Sequence, residues 1–540
     1  MQYIAHMLKT LVRLIDSGNC FQNPISSSEF SKPFIMKQTN TASLLKSCLI
    51  TSLLLFGHGY SQETKTKDPA ESSRFLALDV CLRQVVTENF QIKASKSRLE
   101  ETRLREKAEW GVFEPDFVGS ARIEENRREN TRQDFLSQAS PLFYENNGRY
   151  RAAVEGTLPT GASVRFGGDV SRLENNLQTA LNKEYVTFLG LTIRQPLLKD
   201  AGYDVTMAQI RLAAEESEIV LNETRREMMS ILSQAEIAYW ELYQAEREYE
   251  LRSESVRIAE EILEDNRDRV EAGKMSEVEV IKAVAELALR KTQLETAYQN
   301  KLDASARLNS FLGKERPASV IIKPTDDIKV TNESYSIEGS LSEALEKHPT
   351  LMALRNTVEQ EEIRENYAKN QKLPDVSLNA SYGMNGLDEE FSNSSEELFD
   401  NDFFSWFVGV EVQIPILSGI RERNEYEAAQ IRKAGAEHRL RGAEVELSNL
   451  LRAMIQRIKS LKKQVADYRE VVELQQNLLD AELSGLELGR TDSREVFEAE
   501  QDLTEAKISV LESLVNYQRR LVERELLEGS YLKNRGMDLI

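Results

Sequence analysis

A stretch of 45 residues occurs twice in this chain, and that repetition limits the possible folds more than any other feature. Residues 269–313 and 485–529 align without a gap at an offset of 216. The alignment pairs Gly273 with Gly489, Glu279 with Glu495, Val280 with Val496, Ala283 with Ala499, Leu287 with Leu503, Lys291 with Lys507 and Gly313 with Gly529. Nine of the 45 pairs are identical, and they put a glycine at each end of a helical run. After the first glycine, Ser276 or Asp492, followed three residues on by Glu279 or Glu495, marks a helix start. The pattern predicts a helical protein built as two similar halves.

Two further offsets extend the duplication. A shift of 259 maps Leu82 to Leu341, Ala94 to Ala353, Glu100 to Glu359 and Pro115-Asp116 to Pro374-Asp375. Each stretch has helical period until its Pro-Asp, because proline disfavours helix in the residue before it. Beyond each Pro-Asp the period becomes two. Val376, Leu378, Ala380 and Tyr382 alternate with polar residues, as do Trp406, Val408, Val410, Val412 and Ile414. In the first half Tyr150, Ala152 and Val154 alternate with Arg149, Arg151 and Glu155, and Val164, Phe166 and Val170 with Ser163, Arg165 and Asp169. Strands are expected over about 117–194 and 376–414. With Phe117, Tyr185, Phe188, Phe404 and Trp406 near their ends, they suit a membrane-spanning β-barrel; a half-buried soluble sheet has the same alternation. Residues 124–148 and 384–402 are polar and read as exposed loops.

A third match, at a shift of 219, pairs Gly190-Leu191 through Pro196-Leu197-Leu198 with 409–417, so Pro196 answers to Pro415. The two prolines are 81 residues apart in the first half and 41 in the second. The surplus, centred on Pro159-Thr160-Gly161, is expected to be an extra hairpin. From Lys199 to Val270 and from Gly419 to Leu488 no proline occurs. About 70 helical residues span roughly 100 Å, which requires helices packed side by side in an elongated bundle or coiled coil. Residues 314–340, with Pro317 and Pro324, link the halves, and 530–540 read as a tail.

The start of the chain looks like an address. Residues 48–56 form an apolar run too short to span a bilayer. It is preceded by Lys46 and Lys37 and followed by the small residues Gly59 and Ser61, as in a cleavable signal peptide. Residues 1–61 are therefore expected to be removed, with Met36 as the true start, leaving Cys81 as the one cysteine of the mature protein. A net charge of −20 argues against a nucleic-acid partner.

Each half thus runs helix, strands, long helix, glycine turn, helix. The order resembles the TolC-type outer membrane efflux protein family. The resemblance rests on Pro115 and Pro374 before the first strands, Gln195-Pro196-Leu197-Leu198 and Pro415-Ile416-Leu417 at the exits into long helices, and Gly273 and Gly489 before the last helices. It covers 76–529. It implies a first repeat over 62–313 and a second over 341–529. It further implies a homotrimer whose chains share one outer-membrane β-barrel, continued as a periplasmic α-helical tunnel. The tip turns Gly273, Lys274, Met275, Ser276 and Gly489, Arg490, Thr491, Asp492 would meet a periplasmic adaptor (membrane fusion protein). That adaptor is tied to an inner-membrane pump of RND, ABC or MFS type. Pro115, Pro196, Pro374 and Pro415 would mark the barrel-to-helix junctions. The implied function is a passive exit duct for efflux or type I secretion. The extra hairpin departs from the family, so the protomer is expected to supply either the usual four strands or six, and a trimer to close with 12 or 18.

No Ser/His/Asp set, phosphate-binding glycine loop or metal-ligand spacing is present, so neither an enzyme nor a cofactor is expected. His348, before Pro349, reads as a helix-start residue and His438 as solvent-facing. The rival reading is an exported coiled-coil scaffold of the periplasm with no channel.

Overall fold

The computed structural model describes residues 74–537, apart from 133–134, 136–140, 177–182, 314–321, 332–334, 401 and 415–418. The expected signal peptide, Met36 and Pro415 lie outside the described residues. The first half runs β1 (Arg74–Leu76), α1 (Leu78–Glu88), α2 (Phe90–Glu109), β2 (Asp116–Glu129), β3 (Leu142–Thr157), β4 (Ser163–Glu174), β5 (Lys183–Pro196), α3 (Tyr203–Thr206), α4 (Ala208–Glu271) and α5 (Glu277–Phe311). After β6 (Ile322–Pro324), the second half runs α6 (Ile337–Lys347), α7 (Pro349–Gln371), β7 (Asp375–Asp388), α8 (Phe391–Glu397), β8 (Phe404–Gln413), α9 (Ile420–Glu487), α10 (Ser493–Glu528) and α11 (Tyr531–Asn534).

The duplication is visible atom by atom. Gly313 and Gly529, paired in the sequence, both take left-handed backbone conformations with φ of 63° and 72°. Each also abuts the end of the preceding short helix. A Cβ on Gly313 would lie 2.6 Å from the Glu88 carbonyl oxygen, and one on Gly529 would lie 2.9 Å from that of Lys347. Glu88 and Lys347 are themselves partners at the 259 shift. Only glycine satisfies both the φ and the close approach.

The sheet has the order β2-β3-β4-β5-β7-β8, antiparallel throughout. Four strands come from the first half and two from the second. Because side chains alternate across a sheet, the register decides which residues share a face. Phe117, Val154, Phe166, Leu191, Tyr382 and Trp406 lie in one cross-strand row. The next row toward the helices continues it with Val164, Ile193, Ala380 and Val408. This face is apolar across all six strands. The opposite face carries Arg151 against Asp169 and Glu155 against Arg165, at 2.7 and 3.5 Å. It also carries Thr192 against Ser381 and Asn379 near Glu411, at 3.2 and 3.1 Å.

Along one row of the polar face neighbouring strands approach closely. Ala153, Gly167, Gly190, Gly383 and Ser405 form one row there. A Cβ on Gly167 would lie 2.4 Å from the Ala153 Cα, and one on Gly383 would lie 2.9 Å from the Leu189 carbonyl oxygen. Glycines at such positions let strands close up and curl. Phe188 lies over Gly190 and Gly383 on this same side, 2.4 Å from an added Gly383 Cβ. It therefore faces away from Phe117, Tyr185 and Trp406, correcting its placement among the barrel-end aromatics.

The polar stretches read as loops are shorter than expected. β2 continues to Glu129, β3 begins at Leu142 and β7 continues to Asp388, while Phe391–Glu397 is helical. Ladder hydrogen bonds sustain a strand even where both faces are polar, and hydrophobic alternation cannot register such a strand. The helix α8 lies on the apolar face. There Ser394 hydroxyl meets Thr187 at 2.9 Å and donates to the Tyr185 carbonyl at 3.0 Å. Phe391 stands edge-on to Tyr185.

The long helices α4 and α9 have 64 and 68 residues, about 96 and 102 Å at 1.5 Å per residue. Each turns back at its tip into α5 or α10. Buried positions on α5 recur every seven residues at Ala283, Arg290, Ala297 and Ala304. On α9 the same spacing runs through Leu451, Ile458, Val465, the partly buried Val472, Leu479 and Leu486. Seven-residue spacing makes helices supercoil left-handedly around one another. None of the described helices is long and apolar enough to cross a membrane.

Midway along the helices sits the largest core cluster, centred on Leu232, Tyr239, Leu242, Leu308 and Leu312. The sequence missed the elements that cover it. β1 and β6 pair in parallel, and Tyr239 donates to Asp326 at 2.6 Å, pinning the linker. The stretch read as a tail packs inward. Tyr531 donates to buried Glu236 at 2.8 Å and Arg535 pairs with it at 2.7 Å.

Candidate functional site

The tip turns are two copies of one structure. In the first, Gly273 N–H donates to Val270 and Lys274 N–H to the Arg269 carbonyl, at 2.9 and 2.8 Å. In the second, Gly489 donates to Leu486 and Arg490 to Gly485, at 3.1 and 2.8 Å. Both glycines have φ of 70°. This is the glycine-terminated helix end whose two bonds satisfy otherwise orphaned carbonyls. The next helices start on the expected caps. Ser276 accepts from Val278 N–H at 3.3 Å, while Asp492 accepts from Arg494 and Glu495 at 3.0 and 3.2 Å.

Lys274, Ser276, Arg490 and Asp492 are exposed, whereas Met275 and Thr491 are partly covered. The turns are held side by side. Arg269 donates to the Leu486 carbonyl at 2.8 Å, and Ser493 meets Asn266 at 2.9 Å. Deeper in, Arg290 and Glu500 form an ion pair at 3.0 Å with both side chains almost wholly buried. Arg290 also donates to the Phe497 carbonyl at 2.9 Å. A second such pair, Lys301 with Glu246 at 2.8 Å, lies toward the middle of the helices. Polar groups inside an apolar seam fix its register.

Of the junction prolines, Pro115, Pro196 and Pro374 gather at one end of the sheet. Pro196 pairs with Ser377, two residues past the strand start beyond Pro374, and Leu197 N–H donates to the Val376 carbonyl at 2.7 Å. Pro115 lies against Gly156 of β3. Asp200, with φ of 60°, is held by Asn370 at 2.8 Å and Gln371 at 2.5 Å.

The sequence did not reveal where the chain is left unpartnered. Both edge strands are exposed along their whole length, and on β8 Trp406, Val408 and Val410 are each more than 60 % exposed. Within the helices, α4 touches α5 and α10, and α10 touches α9. α9 also packs on α6 and α7, but toward the tips the outer sides of α5 and α9 are exposed. There α5 exposes Val278, Ile281, Ala285 and Ala288, and α9 exposes Val471, Leu474, Leu478 and Ala481. Both stripes step three, four and three residues. Heptad periodicity on a second face was the signal that could have found them.

His348 is the N-cap of α7, where the first half has Asn89. Its Nδ1 is buried without a hydrogen bond, and burial beside Arg226 lowers its pKa to about 4. His438 is exposed on α9. Among the described residues no cluster of three or more His, Cys, Asp or Glu side chains could hold a metal ion.

Comparison with known proteins follows this geometry. Residues 340–526 match the family model described as outer membrane efflux protein. Among solved structures, a membrane protein from Pseudomonas aeruginosa superposes with TM-score 0.60 and 16% identity, over 84% of this chain and 90% of that one. The CmeC outer membrane channel of Campylobacter jejuni superposes with TM-score 0.59 and 14% identity, over 89% and 94%. The outer membrane protein VceC of Vibrio cholerae does so with TM-score 0.58 and 16% identity, over 85% and 97%. No curated protein matches.

Proposed function

We propose that this chain, whose residues 340–526 match the outer membrane efflux protein family model and whose fold is that of solved outer membrane channels, is the outer-membrane exit duct of a tripartite efflux or type I secretion system. It acts as a homotrimer that conducts substrates passively. The observation that carries this reading is the six-stranded sheet, with one continuous apolar face and two unpaired edges. Lipid tolerates no open sheet edge, so a sheet with such a face must close.

Closure with further copies of the chain is consistent in direction. With six alternating strands, β2 and β8 run oppositely, so β8 of one protomer meets β2 of the next as another antiparallel pair. The helices repeat the logic, since α5 and α9 also run oppositely and present matching stripes. A head-to-tail contact of this kind generates a ring. The apolar face then meets lipid, and the polar face lines the bore.

The long helices extend from the barrel into the periplasm. Their exposed tips Gly273–Ser276 and Gly489–Asp492 contact a periplasmic adaptor, which links the duct to an inner-membrane pump. A cleavable signal peptide within residues 1–61 delivers the chain. The test is fractionation followed by planar-bilayer recording. Outer-membrane protein that inserts as an ion-conducting pore supports the reading. Soluble, non-conducting protein favours the periplasmic scaffold.

A further inference from the structure

The linker between the halves carries a row of unpaired main-chain groups, beside a cleft whose buried donors are also unpaired. We infer that residues 327–331, together with Trp240 and Arg524, dock an extended peptide segment of a partner protein. The inference goes beyond the duct and does not depend on it.

β6 pairs with β1 only as far as Pro324. Beyond it, residues 327–331 run without turn or bend, and their exposure alternates residue by residue. Ile328 and Val330 pack inward on two of the core clusters, while Asp327, Lys329 and Thr331 are exposed. This is strand alternation without a strand partner. Among the described residues, no backbone N–H or carbonyl of 327–331 takes part in a hydrogen bond. An open row of this kind is a template on which another strand can add.

The cleft beside the row has a volume of about 340 Å³, and its lining includes Trp240, Ile328, Lys329, Leu521, Arg524 and Arg535. Trp240 is 4 % exposed and stands edge-on to Tyr239 and Tyr243, and its indole N–H has no hydrogen-bond partner. Arg524 is 7 % exposed. Its guanidinium lies 3.7 Å over the Tyr335 ring, and its Nε is 3.4 Å from Glu528. Even so, neither its Nε nor its Nη1 has a hydrogen-bond partner. Buried polar groups are almost always paired. Three donor atoms left over at one cleft call for an occupant that brings acceptors.

Charge selects among acceptors. Arg535 is held by Glu236 and Glu525, and Asp327 by Tyr243 and Arg247. With Glu528 beside Arg524, the exposed Lys329 is the cleft's main free charge. An anion therefore gains little there, and uncharged carbonyl oxygens fit better. A peptide main chain supplies both needs in one molecule: carbonyls for Trp240 and Arg524, and alternating donors and acceptors for the row. One of its side chains would cover the apolar wall of Ile328 and Leu521.

The test pans a phage-displayed library of random heptapeptides on the intact, detergent-purified protein. Selected peptides are synthesised, and binding is read by fluorescence anisotropy and by hydrogen exchange of the protein's amides. Without peptide, the amides of 327–331 should exchange fast; with it, they should slow by about tenfold or more. Trp240→Phe keeps an aromatic ring but removes the donor, and should weaken binding about tenfold. Successive residues of a strand pair toward opposite edges, so only one of Lys329→Pro and Val330→Pro should abolish binding. Slow exchange of 327–331 in the protein alone would mean that the row is already covered, by a second copy or by the chain itself, and would overturn the inference. A library that yields no binder would overturn it, as would peptides indifferent to Trp240→Phe and to both prolines. Inorganic phosphate that binds with sensitivity to Trp240→Phe, while 327–331 still exchange fast, would assign the cleft to a small anion instead. None of these readouts requires a pore, so failure of the duct reading would leave this one standing.

Discussion

Two buried polar residues carry predictions that solvent-exposed charges cannot. Arg290 and Glu500 are buried together between α5 and α10, and one without the other leaves an uncompensated charge. Arg290→Met should destabilise the protein by about 3–5 kcal/mol, whereas pairing it with Glu500→Leu should recover most of that loss. Denaturant midpoints at unchanged slope would measure both. His348 offers a titration test. Its pKa is about 4 in the folded chain against an ordinary 6.5. The neutral form is favoured on folding, so its contribution is complete above pH 6.5 and is lost as pH falls toward 4. The loss should reach roughly 2–3 kcal/mol. His348→Asn should abolish that pH dependence. It should also add up to about 1 kcal/mol, because Asn89 caps the matching helix by accepting from Gln91 and Ile92.

At the scale of elements, the four left-handed glycines of the repeats divide into two kinds. Gly273 and Gly489 have open space where a side chain would go, while Gly313 and Gly529 face a carbonyl. Alanine at the tips should therefore cost only the conformational penalty, about 1–2 kcal/mol. Alanine at Gly529 should cost clearly more, and comparative unfolding of the two variants would show it. These glycines, the prolines before the strands and the capping Ser276 and Asp492 were legible in the sequence because each acts on its own neighbours. The middles of β3, β4, β7 and β8 were legible for the same reason, since one apolar face repeats every second residue. The polar ends of β2, β3 and β7 were not, because ladder bonds rather than side chains hold them. Nor were β1, β6 and the inward-turned C-terminal segment, whose partners Tyr239 and Glu236 are remote in sequence.

For the whole molecule, the sequence disclosed the duplication and the extra hairpin, yet not which surfaces remain open once a protomer has folded. That depends on which helices end up central. α4 and α10 bury residues on several sides, while α5 and α9 bury a narrow seam and leave a second stripe bare. Ile281 and Leu474, 68 % and 63 % exposed, lie in those stripes. Ile281→Glu or Leu474→Glu should leave the protomer folded and weaken assembly, with the double variant predominantly monomeric by size-exclusion chromatography in detergent.

The account's central claim is that unpaired edges of sheet and helices close on further copies of the same chain. Native mass spectrometry of the detergent-extracted protein tests it most directly. The account predicts one dominant species of three chains that persists on removal of detergent in the gas phase. A monomer or dimer as the dominant species would contradict it, and the sheet would then have to be covered by something other than itself.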